Sequence, residues 1–241
     1  MRKTSPPFDV LWTPTPETLD EPLRARKPRK ILVADVFDQP FEFIAAVKGV
    51  QAATPQHTYI ELTKRPKRMR EFMQWVKVRI PENWDEPKVL ADAMAAMGVE
   101  TGWYKHASWP LPNVIHGYSA STQADLDAGM PDLMQVPSAL HMLSAEPLLG
   151  DLDLGPALEG LDWVLVGGES GPGARPCDVA WIRAIVEQCK AAGTACFVKQ
   201  LGAHAIYSHS RDVIVLRDPK GADPSEWPAD LRVRQFPEVQ A

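Results

Sequence analysis

The pattern that decides the fold lies in residues 162–200, DWVLVGGESGPGARPCDVAWIRAIVEQCKAAGTACFVKQ. A short apolar run, Trp163–Val166, leads into a glycine-rich turn. Apolar residues then recur at three- and four-residue steps over Val179–Cys189, the spacing of one helix face, and Gly193 is a typical C-terminal stop. A second apolar run, Ala195–Val198, follows. The stretch therefore predicts strand, helix and strand, the unit from which parallel sheets are built.

The same alternation extends through most of the chain. The ends of successive apolar runs are 21 to 32 residues apart, except for one gap of 57 residues that holds an insertion, residues 79–112, with a short helix over Ala91–Met97. We therefore predict an α/β fold with a parallel sheet of about six strand-helix units over residues 28–205. The earlier strands are predicted at Ile31–Ala34, Thr58–Leu62, Val114–Tyr118 and Leu140–Ala145, and the helices at Phe41–Ala53, Pro66–Val76, Thr122–Gln135 and Val179–Ala192.

The two ends of the chain differ from this pattern. Residues 1–27 contain five prolines, and the fixed φ angles and missing N–H donors predict a surface extension without regular structure. In residues 206–241, the runs Val213–Leu216 and Leu231–Val233 flank a turn rich in proline, glycine and aspartate, which predicts a small hairpin.

Composition excludes several classes of protein. With 45% hydrophobic and 24% charged residues in 241, the chain resembles an ordinary globular protein, and no apolar window is long enough for a membrane span. Three scattered cysteines exclude a disulfide framework, so we expect a cytoplasmic protein with reduced thiols. Residues 1–80 carry a net charge of +6 and the rest −11, which permits an anionic ligand near the first third.

Polar residues follow several predicted strands, and the carboxyl ends of parallel strands are where such folds bind ligands. Glu146 and Glu169 follow two of these strands, so the two carboxylates are candidates for acid/base chemistry or for binding an amine. Alternatively, they neutralise Lys64 and Lys199.

The glycine-rich turn after Val166 is a second candidate. Its backbone N–H groups could approach a ligand closely, with Arg175 clamping an anion, although a turn that needs glycine only for its conformation is the alternative. The full set of candidate ligand-binding residues is Lys64, Arg65, Gly167, Gly168, Glu169, Ser170, Arg175, Lys199 and Gln200.

Five cations lie within Lys64–Arg70, at a strand end and the following helix start. Cations at a helix N-terminus oppose the helix dipole, which favours an anionic partner, and a solvated helix face is the alternative. His116 lies within an apolar strand and is predicted to be a core histidine, while His204 and His209 lack a third ligand at metal spacing. We expect no metal site.

Six motifs occur together in order and cover most of the chain from about Phe8. Through them the chain resembles an uncharacterised phage and prophage protein family whose fuller members carry an N-terminal three-cysteine motif and are regarded as radical S-adenosylmethionine-like. The motifs are LTKRP (62–66), NVIHGYSASTQ (113–123), LSAEPLLG (143–150), DWVLVGGESGPGARP (162–176), FVKQLG (197–202) and DPSEWPADLRVRQFP (223–237).

The resemblance implies a TIM-like barrel, here partial or open, with S-adenosylmethionine and a [4Fe-4S] cluster as family cofactors. This chain has no three-cysteine segment, and Cys177, Cys189 and Cys196 are not at substituting spacing. We therefore expect a barrel that has lost cluster binding and keeps a polar strand-end pocket for an anionic or zwitterionic ligand. The alternatives are part of an active radical enzyme whose cysteine segment is supplied elsewhere, and a phage protein that binds nucleic acid, nucleotide or another phage protein.

Overall fold

The structure, a computed structural model, describes residues 1–3, 6–34, 36–79, 86–99, 108–207 and 213–237. Within these residues the chain forms two compact units, the first comprising residues 1–117 and 132–140 and the second residues 118–131 and 141–237. The parallel α/β architecture predicted from the sequence is confirmed. His209, which the sequence did not assign to a metal site, and parts of the insertion, residues 80–85 and 100–107, lie outside the described residues.

The first unit contains five strands, in the order β1 (Arg2–Lys3), β2 (Val10–Trp12), β3 (Lys30–Val33), β4 (Thr58–Thr63) and β5 (Val114–Ser119). Strand β5 ends in the second unit. Strand β1 is antiparallel to β2, whereas β2, β3 and β4 are parallel, with Val10 paired with Ile31 and Ile31 with Tyr59.

Three helices accompany these strands: α1 (Phe41–Ala52), α2 (Pro66–Val78) and α3 (Glu86–Ala96). Helix α1 is buried from Phe43 to Gln51 because α3 packs against it, and a Cβ at Gly49 would lie 2.9 Å from the Leu90 carbonyl oxygen. Helix α2 begins with a proline, whose fixed φ suits the first helical position.

The second unit holds the end of β5 and three parallel strands, in the order β6 (Leu140–Ala145), β7 (Trp163–Gly167) and β9 (Ala195–Gln200). Helix α5 (Val179–Ala192) is capped at both ends, since the Asp178 side chain accepts from the Ala180 N–H at 2.9 Å and Gly193 ends it at φ 76°. The remaining elements are α4 (Gln123–Leu133), β8 (Cys177–Asp178) and β10 (Ala205–Ile206), and β8 and β10 pair in a small second sheet.

The prediction that residues 1–27 lack regular structure is wrong. The proline-free stretch between Pro7 and Pro14 retains its N–H donors, and within it Val10–Trp12 forms strand β2. Trp12 and Leu19 are fully buried, so this segment belongs to the core of the first unit and is not a surface extension.

The predicted C-terminal hairpin is also wrong, because its two runs pair with other strands. Val213 forms an antiparallel bridge with Ile206, whereas Arg234 bridges Phe197 on β9. The Val198 N–H donates to the Val233 carbonyl at 2.9 Å, so residues 233–235 cover the β9 edge of the sheet.

Candidate functional site

The carboxyl ends of β6 and β9 bring two predicted site residues together. Glu146 directly follows β6, Lys199 is the penultimate residue of β9, and Glu146 Oε2 lies 3.2 Å from Lys199 Nζ. The Glu146 side chain is 12% exposed and that of Lys199 31%. Glu146 and Lys199 therefore form an ion pair in which the carboxylate is largely shielded from solvent and the ammonium is partly exposed.

Burial dominates the electrostatics of Glu146. It raises the pKa of the carboxyl above the ordinary value even though the Lys199 ammonium and the Ser144 side chain act in the opposite direction. Within the described residues, Glu146 Oε1 is buried and has no hydrogen-bond partner. An unpaired buried carboxylate oxygen costs free energy, so it is a group that a ligand donor would stabilise.

The glycines beside this pair are required by close packing. A Cβ at Gly167 would lie 2.7 Å from Glu146 Oε1, and one at Gly168 would lie 2.2 Å from the Leu201 carbonyl oxygen. The Gln200 side-chain amide donates to the Gly168 carbonyl at 2.8 Å, and the Gly168 N–H donates to the Gln200 carbonyl at 3.2 Å. Gly167, Gly168 and Gln200 thus hold the strand ends beneath the ion pair.

The rest of the glycine-rich turn closes on itself through Glu169 and Arg175. The Arg175 side chain donates to both carboxylate oxygens of Glu169 at 2.8 and 2.7 Å, and its backbone N–H donates at 2.9 Å. These bonds lower the pKa of Glu169 to about 2. Ser170 is exposed. Of the two candidate carboxylates, Glu146 therefore pairs with Lys199 and Glu169 with Arg175.

Lys64 and Arg65 belong to the first unit and both are exposed. Arg65 pairs with Asp38 at 2.9 Å, one turn before α1. Two further cations of the same stretch also have partners within the protein: Arg68 donates to the carbonyls of residues 37 and 39, and Arg70 pairs with Asp132 at 2.9 Å. Three of the five cations thus have structural partners.

Sequence reasoning missed a buried ionic network in the first unit. Lys48 of α1 donates to Glu61 Oε2 of β4 at 2.6 Å and lies 2.9 Å from His116 Nε2 of β5. All three side chains are at most 2% exposed. Two charged residues inside the apolar runs FIAAVKGV (43–50) and TYIELT (58–63) were the available signal.

The hydrogen bonds assign the protons of this network. The Ser138 hydroxyl donates to the Leu140 carbonyl at 2.6 Å, so it accepts from His116 Nδ1–H at 2.8 Å. His116 Nε2 then carries the lone pair that accepts from Lys48. His116 is a satisfied core histidine, as predicted.

Arg234 is a second residue that sequence reasoning missed. Its guanidinium donates to the carbonyl of Lys199 at 3.3 Å and to that of Ala222 at 3.3 Å. It lies 5.1 Å from the Phe197 ring and 5.2 Å from the Trp227 ring. The C-terminal segment thereby places a permanent positive charge beside residue 199.

The donor set does not fit an iron–sulfur cluster. Cys177 lies on β8, Cys189 on α5 and Cys196 on β9, all buried, and burial raises the pKa of the Cys177 thiol to about 12. Within the described part of the chain, no three His, Cys, Asp or Glu side chains are placed to hold a metal ion. Nor is any described helix both long and apolar enough to cross a membrane.

Comparison with known proteins gives a family and no activity. The model of a family described as protein of unknown function (DUF5131) matches residues 3–225. Neither the curated proteins nor the solved structures include a match.

Proposed function

The chain belongs to the family of proteins of unknown function termed DUF5131, and we propose that it binds a small anionic or zwitterionic ligand at the Glu146–Lys199 pair. In this proposal the protein is phage-derived, with a radical S-adenosylmethionine-like barrel that keeps its strand-end site without cluster ligands. The observation that supports it is a partly exposed ion pair at parallel strand ends with one buried carboxylate oxygen unpaired.

A zwitterion such as an α-amino acid matches the charges of this site. Its ammonium group would pair with Glu146 and supply the donor that Oε1 lacks, while its carboxylate would pair with Lys199. Because Glu146 is largely buried, these interactions are stronger than the same contacts in water. The methionyl part of S-adenosylmethionine belongs to this class.

The surroundings explain why Lys199 would be the residue that contacts the anionic part. The guanidinium of Arg175 is engaged by Glu169 through two bonds, so it is not poised as an anion clamp. Gly167 and Gln200 fill the space behind Glu146 and hold its carboxyl in place. Since the cysteines do not fit a cluster, the proposal includes binding and no radical step.

Isothermal titration with methionine and with S-adenosylmethionine tests the proposal. We expect binding by the wild-type chain and a loss of about tenfold or more in affinity for Glu146→Gln and for Lys199→Met, the range expected when a hydrogen bond to a charged group is removed.

Asp230→Asn is the matched control, because Asp230 forms a surface ion pair with Arg183 in the same unit. Circular dichroism and thermal melts establish that each variant is folded. Equal affinities for wild type and both site variants, or no binding by wild type of either compound, would exclude this site.

A further inference from the structure

We propose that Cys189 and Cys196 form an oxidisable dithiol, which a small hydroperoxide converts into an intramolecular disulfide. Both residues line one cavity in the second unit. This modification site uses neither Glu146 nor Lys199, so it is independent of the proposed ligand site.

The chain reverses between the two cysteines, so they meet although one is helical and the other lies in a strand. Cys189 is buried in the last turn of α5, and Cys196 is the second residue of β9. Gly193 ends the helix at φ 76°, and the Thr194 N–H donates to the Cys189 carbonyl at 3.0 Å. The turn thereby brings the two thiols into hydrogen-bond contact with each other.

The cavity beside the thiols has a volume of about 430 Å³ and lies between the end of α5, the start of β9 and the C-terminal segment. Gln235 holds that segment against Cys196, since its side-chain oxygen accepts from the Cys196 N–H at 3.0 Å and its own N–H donates to the Cys196 carbonyl at 2.8 Å. Both cysteines are at most 2% exposed, so an oxidant reaches them through the cavity that they line. A water molecule occupies about 30 Å³ in the liquid, and hydrogen peroxide is little larger, so the cavity admits it.

The hydrogen bond between the thiols makes them chemically unequal. Donation by Cys196 lowers the pKa of the Cys189 thiol in spite of burial, and the same bond raises the pKa of the Cys196 thiol. The thiolate, and not the thiol, is the nucleophile toward a peroxide. Cys189 is therefore the residue that attacks the oxidant, and Cys196 is the residue that completes the disulfide.

The reaction consumes one hydrogen peroxide for each disulfide. The Cys189 thiolate attacks one peroxide oxygen, the S–O bond of a sulfenic acid forms as the O–O bond breaks, and the departing hydroxide leaves as water with the proton that the Cys189 thiol has lost. The Cys196 sulfur then forms the S–S bond as the S–O bond breaks, and the hydroxyl leaves as a second water with the Cys196 proton. The two thiols lose two electrons, which the peroxide takes up.

Cys177, the third cysteine of the chain, is the internal control. It is buried like the other two, but its thiol contacts the Asp178 carbonyl, at 4.0 Å, and burial raises its pKa to about 12. We expect Cys189 and Cys196 to be oxidised at least about tenfold faster than Cys177, because a difference of one pKa unit changes the thiolate fraction about tenfold.

Peptide mass spectrometry tests the inference on the full chain. The reduced protein is treated with hydrogen peroxide at neutral pH, unfolded, alkylated with N-ethylmaleimide and digested with trypsin. Lys190 lies between the two cysteines, so trypsin separates them and a disulfide joins two peptides. We expect that joined pair, its loss after treatment with dithiothreitol, and an alkylated Cys177.

Two variants assign the roles of the thiols, and circular dichroism establishes that each is folded. Cys196→Ala should leave a sulfenic acid at Cys189 that dimedone traps, whereas Cys189→Ala should leave Cys196 reduced. Oxidation of Cys177 as fast as the pair in the wild-type chain would overturn the proposal, as would oxidation that joins two chains or yields no disulfide between Cys189 and Cys196. The wild-type measurement decides this without either variant.

Discussion

At the scale of single residues, the glycines of the strand-end turn show how packing determines sequence. Gly168 lies between the Leu201 carbonyl and Cys177, at 2.2 and 2.9 Å from where a Cβ would stand. Gly150 has nothing within 4 Å of that position and no positive φ. Glycine is therefore needed at position 168, where no space is left for a side chain, whereas position 150 tolerates one.

We predict that Gly168→Ala lowers the free energy of unfolding by about 1–3 kcal/mol, because the added methyl group overpacks the contact between β7 and the segment after β9. Gly150→Ala should change it by no more than about 0.5 kcal/mol. Urea unfolding of both variants measures the difference, and equal stabilities would contradict the close approach at Gly168.

The raised pKa of Glu146 gives a second prediction at this scale. Just above pH 4.5, the ordinary carboxyl pKa, Glu146 still holds its proton in the native state but has lost it in the unfolded chain. Rising pH therefore lowers the stability of the wild-type chain between the unfolded-state and native-state pKa values of Glu146. We expect the stability of Glu146→Gln relative to wild type to increase as pH rises above the ordinary carboxyl pKa of 4.5.

Glu169→Gln is the matched control for this pH dependence. The pKa of Glu169 is about 2, below the ordinary value of 4.5, so both native and unfolded states are ionised over most of the tested range. Its stability relative to wild type should therefore stay nearly constant. Urea unfolding at several pH values gives both slopes, and parallel slopes for the two variants would show that burial does not raise the Glu146 pKa.

At the scale of elements, the buried network joins α1, β4 and β5 within the first unit. The network joins Lys48 on α1, Glu61 on β4 and His116 on β5, and all three side chains are buried where α1 packs on the sheet. Gln51, also on α1, donates to Glu61 Oε1 at 2.7 Å. Charges this deeply buried are tolerated only when paired, so the network fixes how α1 packs on these strands.

We predict that Glu61→Leu costs about 3–5 kcal/mol of unfolding free energy, because it leaves the Lys48 ammonium buried and uncompensated. The double variant Lys48→Met/Glu61→Leu removes both charges and should recover about 1–3 kcal/mol of that loss. Guanidinium unfolding of wild type, both single variants and the double variant completes the cycle. Additive costs would mean that the two side chains are not energetically coupled.

At the scale of the whole molecule, the charge of the chain is distributed unevenly. The net charge is −5, yet residues 1–80 carry a net charge of +6. In the cationic stretch after β4, Arg65, Arg68 and Arg70 are bonded within the protein, and Lys64 and Lys67 are exposed. Two exposed lysines in this stretch of an acidic chain form a weak footprint for a polyanion.

We therefore predict that the chain binds single-stranded DNA no more tightly than the non-specific range, about 10⁻⁴ to 10⁻⁶ M at physiological salt. Fluorescence anisotropy with a labelled oligonucleotide measures the affinity, and Lys64→Gln/Lys67→Gln should leave it nearly unchanged. Tight binding that this double variant abolishes, with a steep salt dependence, would instead favour the nucleic-acid hypothesis.

The sequence determined the alternation of strands and helices, because apolar periodicity and caps are local properties. Helix α5 begins and ends at the predicted residues. Its apolar stripe depends only on residue spacing within the helix, and Asp178 and Gly193 cap its ends through bonds to residues within one turn. The sequence also placed Glu146 and Lys199 at strand ends, where parallel folds bind ligands.

Only the tertiary structure decided which side chains meet, because pairing depends on strand order and register between residues far apart in the chain. Glu146 and Lys199 are separated by 53 positions, and Lys48 and His116 by 68. Strand β2 and the C-terminal segment were missed for the same reason, since a short extended run becomes a strand only when a neighbouring edge supplies its hydrogen bonds.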